Sequence, residues 1–113
     1  MLSNQKYVAY YRVSTDKQGE SGAGLDAQKN DVMRFTNGLG SIIAEYTEIE
    51  SGANNERESL EMAIQYAIMH DAVLIVSKLD RISRDIAKIF EIRSKVKFVS
   101  CDMPDPDTLR LGV

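Results

Sequence analysis

One serine and three arginines stand at spacings that suit phosphate chemistry. Arg12 and Ser14 end the stretch Tyr7-Val-Ala-Tyr-Tyr-Arg-Val-Ser14. In a strand, residues two apart point to the same side, so a guanidinium would sit beside a hydroxyl. Arginine offers a rigid fork of donors that matches phosphate oxygens, and its charge is permanent. Arg81 and Arg84 follow in Lys78-Leu-Asp80-Arg81-Ile-Ser-Arg84, three apart and hence on one face at a helix start. With Arg12 they would surround one phosphoryl group, stabilise a pentacoordinate transition state and ease ionisation of Ser14. Asp80 would aim one of these arginines or handle a proton. The plainer alternative is a strand-ending serine bonded within its own turn, beside solvated arginines and a simple ion pair.

No other nucleophile or base competes with this set. His70 and Cys101 are the single histidine and single cysteine, expected as a helix-end imidazole and a buried thiol. The carboxylates show no metal-ligand spacing, and no glycine-rich Lys-Ser/Thr phosphate loop occurs. The implied chemistry is a serine activated by arginines, with no metal or cofactor.

The elements that must position these residues alternate in type. A strand over Tyr7 to Val13 leads into a polar, glycine-rich segment at residues 16–24, expected as a mobile loop. Leu25, Gln28, Val32, Phe35 and Leu39 then recur at helical spacing, closed by Gly38 and Gly40. Ser41 to Ile49 reads as a strand and residues 50–56 as a loop. A helix from Arg57 to Met69 follows, with Leu60, Ala63, Ile64, Ala67 and Ile68 as its apolar stripe. Ala72 to Val76 is a short apolar run suited to a strand buried on both faces. A third helix, Arg84 to Ser94, is expected to be capped by Ser83 and to turn Ile86, Ile89 and Phe90 inwards. Val96 to Ser100 makes a fourth strand, and Asp102 to Val113 a surface loop. The order β-α-β-α-β-α-β predicts an α/β fold: a three-layer open sheet, mostly parallel. In such sheets ligands gather beyond the carboxyl ends of the strands, where both arginine-bearing stretches emerge.

Bulk properties agree with one domain. The 113 residues are 43% hydrophobic and 27% charged, ordinary for a globular chain with one modest core. No apolar run approaches the length of a membrane span, and the amino terminus lacks the apolar core of a secretory signal. A cytoplasmic location is therefore expected. The net charge of −3 is wrong for a domain that grips DNA unaided.

Four of these stretches, in order, resemble the serine site-specific recombinases, the family of resolvases and DNA invertases. Tyr11-Arg12-Val13-Ser14-Thr15 is similar to the segment around their nucleophile. Gln18 and Leu25-Asp-Ala-Gln28 resemble two glutamine segments, and Glu50-Ser-Gly52 followed by Arg57-Glu-Ser-Leu60 resembles the approach to their second helix. Lys78-Leu-Asp80-Arg81-Ile-Ser-Arg84 resembles the Leu-Asp-Arg-Leu-x-Arg motif. The likeness spans residues 6 to 101, and Glu58 stands where many relatives carry proline.

The resemblance implies that Ser14 attacks a DNA phosphodiester, giving a 5′-phosphoseryl bond and a free 3′-hydroxyl, with strand exchange and religation in a tetramer. It implies that Arg12, Arg57, Arg81 and Arg84 bind phosphate and stabilise the transition state. Asp80 and Gln18 would support catalysis, and Gln28, Lys78 and Asp71 would belong to a wider network. It also implies an antiparallel edge strand, homodimers and synaptic tetramers on duplex DNA. On this reading residues 1–113 form the N-terminal catalytic domain. The family's dimerisation helix and DNA-binding domain lie outside it, and the isolated fragment is expected to be inactive. Two other readings use the same residues: a small-molecule phosphotransferase, and a non-catalytic phosphate-binding module.

Overall fold

The computed structural model describes residues 5–14, 18–50, 58–78 and 86–102; the side chains of Ser14, residues 18–23, Glu50 and Ile86 lie outside that description. Four strands, β1 (Gln5–Ser14), β2 (Gly40–Glu50), β3 (Val73–Val76) and β4 (Phe98–Ser100), alternate with three helices. The helices are α1 (Gln18–Thr36), α2 (Glu58–Met69) and α3 (Ile86–Lys95). The sheet has the order β2-β1-β3-β4, and every ladder is parallel.

Crossovers of one hand that run in opposite directions from β1 put their helices on opposite faces. One core accordingly packs Val32 of α1 against Tyr7, Ala9, Tyr11 and Ile75. The other packs Leu60, Ala63, Ile64 and Ala67 of α2 and Ile89 and Ile92 of α3 against Val8, Tyr10, Leu74 and Val76. β1 and β3 thus feed both cores by simple alternation, which explains why their sequences carry almost unbroken apolar runs. The expected three-layer parallel sheet is the architecture found, with no antiparallel strand among the described residues.

Three details depart from the sequence pattern. Residues 18–24, expected as part of a loop, are the first turns of α1. Once Leu25, Gln28 and Val32 anchor the helix, adding a turn to its start is cheap, even through glycines that each cost about 1 kcal/mol against alanine. Ile68 is 46% exposed, because the four residues before it already fill the face that α2 turns to the sheet. On α3 the buried pair is Ile89 and Ile92, while Phe90 is only half-buried. The expected Ser83 cap and the segment from Met103 to Val113 lie outside the described residues.

Helix ends show why the chain turns where it does. Gly38 takes φ 83° after α1, a conformation that costs glycine little. At the end of α2 the Ala72 N–H donates to the Ala67 carbonyl at 2.8 Å and the Asp71 N–H to that of Ile68 at 3.2 Å. That is a Schellman closure, with Asp71 in the left-handed position at φ 54°.

Two glycines should respond oppositely to alanine. A Cβ on Gly40 would lie 1.8 Å from the Gln5 carbonyl oxygen, a backbone atom, so Gly40→Ala is expected to lower stability by about 1–3 kcal/mol. At Gly24 a Cβ meets nothing within 4 Å, so Gly24→Ala should raise stability by about 0.5–1 kcal/mol. Urea denaturation midpoints check both.

Candidate active site

The carboxyl edge of a parallel sheet collects every strand end at once, and here the sheet divides as it reaches that edge. The β1–β3 ladder runs from Tyr7↔Val73 to Ala9↔Ile75. Beyond it, β1 continues to Ser14 paired with β2 alone, while β3 and β4 stay together to Val76↔Ser100. Doubly wound sheets bind ligands in the crevice beyond the carboxyl ends of their strands, at the point where the strand order reverses, which here falls between β1 and β3.

Arg12 continues the even-numbered series of β1 that faces α2, and it is half-buried. Its main chain is held from the other side. The Gln28 side chain of α1 accepts from the Arg12 N–H at 3.1 Å and donates to the Arg12 carbonyl at 3.1 Å. Gln28 is 2% exposed, and its amide supplies the donor and acceptor that a neighbouring strand would offer. Its NH2 group also donates to the Gly24 carbonyl at 3.3 Å, within α1.

Opposite Arg12 in the β1–β2 register stands Glu48, 8% exposed. Its carboxylate accepts from the Tyr10 hydroxyl at 3.1 Å and from the Leu60 N–H at 3.1 Å, with the Ser59 N–H at 3.4 Å. Those two amides belong to the first turn of α2, where no partner exists within the helix. The carboxylate therefore caps α2 from a distance and sits at the positive end of its dipole. Ser59 reinforces the join by donating its hydroxyl to the Thr47 carbonyl at 3.1 Å. Sequence reasoning missed Glu48 and Tyr10. The signal was a carboxylate in register with Ala44 and Tyr46 on the core side of β2, a place where a charge must find partners.

The other face of the same edge is stitched to α1. The Ser77 hydroxyl, just past β3, donates to the Asp31 carboxylate at 2.7 Å. Arg34 reaches the second oxygen at 3.4 Å, and the Cys101 thiol lies 3.6 Å from the Asp31 carbonyl. Ser100 donates to Asp102 beside them. An open cleft of about 380 Å³ runs along this face, lined by Asp31, Phe35, Ser77, Lys78, Cys101 and other residues. Burial first, and then the nearby Asp31 and Asp102 carboxylates, push the Cys101 thiol up to about 11. On this face too, burial and a 2.8 Å bond to Glu45 raise the Tyr11 phenol well above its ordinary range.

Of the sequence-derived residues, the structure brings Arg12, Gln28 and Lys78 to this edge. The Ser14 backbone closes β1 in register with Glu50, and Gln18 opens α1. Arg57, Asp80, Arg81 and Arg84 lie outside the described residues. Asp71 is not brought in. It precedes β3 at the amino edge of the sheet, exposed and paired with Lys97 at 3.2 Å. Its place in the sequence follows from closing α2.

A protein-family model described as "Resolvase, N terminal domain" matches residues 7–109. Among solved structures, the crystal structure of the N-terminal catalytic domain of TP901-1 integrase is similar with a TM-score of 0.68 at 29% identity, covering 87% of this chain and 79% of that one. The C-terminal catalytic domain of ISC1926 TnpA, described as an IS607-like serine recombinase, has a TM-score of 0.64 at 23% identity, covering 95% of this chain and 75% of that one. The second likeness is one of fold. Among curated proteins nothing matches.

Two measurements probe this geometry. Gln28→Leu keeps the bulk but strands the Arg12 N–H and carbonyl, and should cost about 1–3 kcal/mol in chemical denaturation. The raised thiol means that Cys101 holds its proton more tightly when folded. Its contribution to stability is whole below the ordinary value of 9.0 and is lost as pH rises through about 11. Alkylation at about pH 8 should be slower in the folded protein than in urea, the gap closing as the folded thiol ionises.

Proposed function

The chain belongs to the resolvase N-terminal-domain family, and on that premise we propose that it cuts and rejoins DNA at specific sites through Ser14. The Ser14 oxygen attacks a backbone phosphorus, the bond to the 3′-oxygen breaks, and the leaving oxygen takes a proton. The product is a 5′-phosphoseryl ester and a free 3′-hydroxyl. One phosphoester replaces another, so attack by a 3′-hydroxyl from a partner strand restores the diester and releases serine without nucleotide hydrolysis.

The observation that carries this reading is a family match spanning a parallel sheet at whose carboxyl edge Arg12, Ser14 and Lys78 leave adjacent strands. Arg12, Arg57, Arg81 and Arg84 act on the phosphoryl oxygens, where permanent charge in fork geometry favours the transition state over the diester. Asp80 and Gln18 orient these groups, and Lys78 adds charge at the crevice mouth. Gln28 works through the Arg12 main chain, and Glu48 through α2, which begins beside Arg57.

The substrate is duplex DNA. With a net charge of −3, the unit draws most of its DNA affinity from elsewhere, so residues 1–113 serve as the catalytic part of a larger assembly. That assembly is a homodimer which pairs into a synaptic tetramer in the cytoplasm. Base readout belongs to a separate DNA-binding domain.

The test is a reaction of the full-length protein with supercoiled plasmid bearing its site, quenched with denaturant. Wild type should yield protein joined to DNA 5′ ends, and Ser14→Ala none. Arg12→Ala should slow the adduct by roughly 10²–10³-fold. A 5′ adduct that survives Ser14→Ala would exclude this serine as nucleophile. Turnover of a simple phosphomonoester without DNA would point instead to a phosphotransferase.

A further inference from the structure

The two arms of the crevice leave the sheet from strands that no longer touch through a ladder. β1 carries Arg12 three residues and Ser14 five residues beyond Ala9, its last partner to β3. β3 ends at Val76, and Ser77 and Lys78 follow directly. Backbone pairing therefore does not set the distance between these arms. Helix α1 reaches both. Gln28 holds the Arg12 N–H and carbonyl. One turn later Asp31 accepts the Ser77 hydroxyl at 2.7 Å, the shorter of the two attachments. Residues three apart on a helix share a face, so one rigid element spans the gap.

Ser77 is 3% exposed, so its hydroxyl is withdrawn from water and its bond to a carboxylate is strong. The same Asp31 receives the Cys101 thiol on its main-chain oxygen, which ties the exit of β4 to the same point. Arg34, itself 79% exposed, takes the other carboxylate oxygen and adds little to the geometry.

We infer that Asp31 is a positioning residue for DNA cleavage: through Ser77 it sets where Lys78 stands relative to Arg12 and the main chain of Ser14. The inference rests on the reading of this edge as the cleavage site. Asp31 touches no reacting atom in this scheme. It acts by removing slack between Lys78 and Arg12, two charges that must converge on one phosphate, where a displacement of about 1 Å can cost on the order of 100-fold in rate.

The experiment follows 5′-adduct formation by the full-length protein under single-turnover conditions, across a range of site-DNA concentrations. Ser77→Ala and Asp31→Ala should each slow the saturated rate by roughly tenfold or more, with the half-saturating DNA concentration unchanged. The double variant should be no slower than the slower single one, because both remove the same contact. Asp31→Asn keeps an oxygen that can accept from Ser77 and should retain the wild-type rate. Ser77→Ala deletes one atom, so it keeps the question open to measurement should Asp31→Ala not fold.

A wild-type rate in Ser77→Ala overturns the inference, and so does an additive loss in the double variant. A loss in Asp31→Asn equal to that in Asp31→Ala assigns the effect to charge and overturns the positioning role. A wild-type protein that forms no 5′ adduct overturns the reading of the site itself, and the inference with it. That outcome is distinct from a normal wild type with silent variants.

Discussion

Where β1 and β3 part, a side-chain amide takes over from the β-ladder, and the geometry of the edge depends on it. Gln28 meets the Arg12 N–H and carbonyl with one acceptor and one donor. Without it the strand would lose its hydrogen bonds on the side that faces the crevice, where unpaired buried backbone groups are costly. Water would satisfy those groups too, at the expense of a strand end free to shift. A buried glutamine is thus the condition under which β1 can outrun its neighbour by several residues and still keep its main chain hydrogen-bonded.

The opposite face solves a related problem with charge. Glu48 is a buried carboxylate between a tyrosine hydroxyl and the open amides of α2. A charge withdrawn from water is expensive unless it is hydrogen-bonded and compensated. The Tyr10 hydroxyl and the dipole of α2 supply that compensation. One carboxylate therefore fastens α2 to the sheet. Among the described residues, Glu48 and Asp31 are both engaged with donors at this edge.

Periodic features were readable from sequence, and pairwise ones were not. The run Ala72 to Val76 suited a strand buried on both faces, and the apolar stripe of α2 marked the side it turns to the sheet, save for the exposed Ile68. The order of elements then dictated a parallel sheet and so the edge where Arg12 and Ser14 emerge. By contrast, the first turns of α1 carry polar residues and glycines whose local preference is for a loop. They are helical because the turns beyond them are anchored. The Glu48 and Asp31 contacts join residues 38 and 46 positions apart to Tyr10 and Ser77, and no local pattern announces them. Asp71 lies away from that edge, where it closes α2. Aspartate tolerates the left-handed backbone, and its position reflects that conformation.

The uniform strand direction has a consequence for how the chain finds its fold. Among the described strands there is no hairpin: each ladder joins segments separated by a complete helix. Loop-closure entropy must be met before any strand pair is rewarded, so the folding barrier is set by non-local contacts. The interior strand β1 is the first made and gains its second partner only when β3 is made. During synthesis β1 waits through α1 for its partner β2, and through α2 for β3. Until then its apolar side chains have only transient cover, which exposes the nascent chain to association with its own copies. A topology that gathers all strand ends at one working edge therefore carries its hazard in assembly.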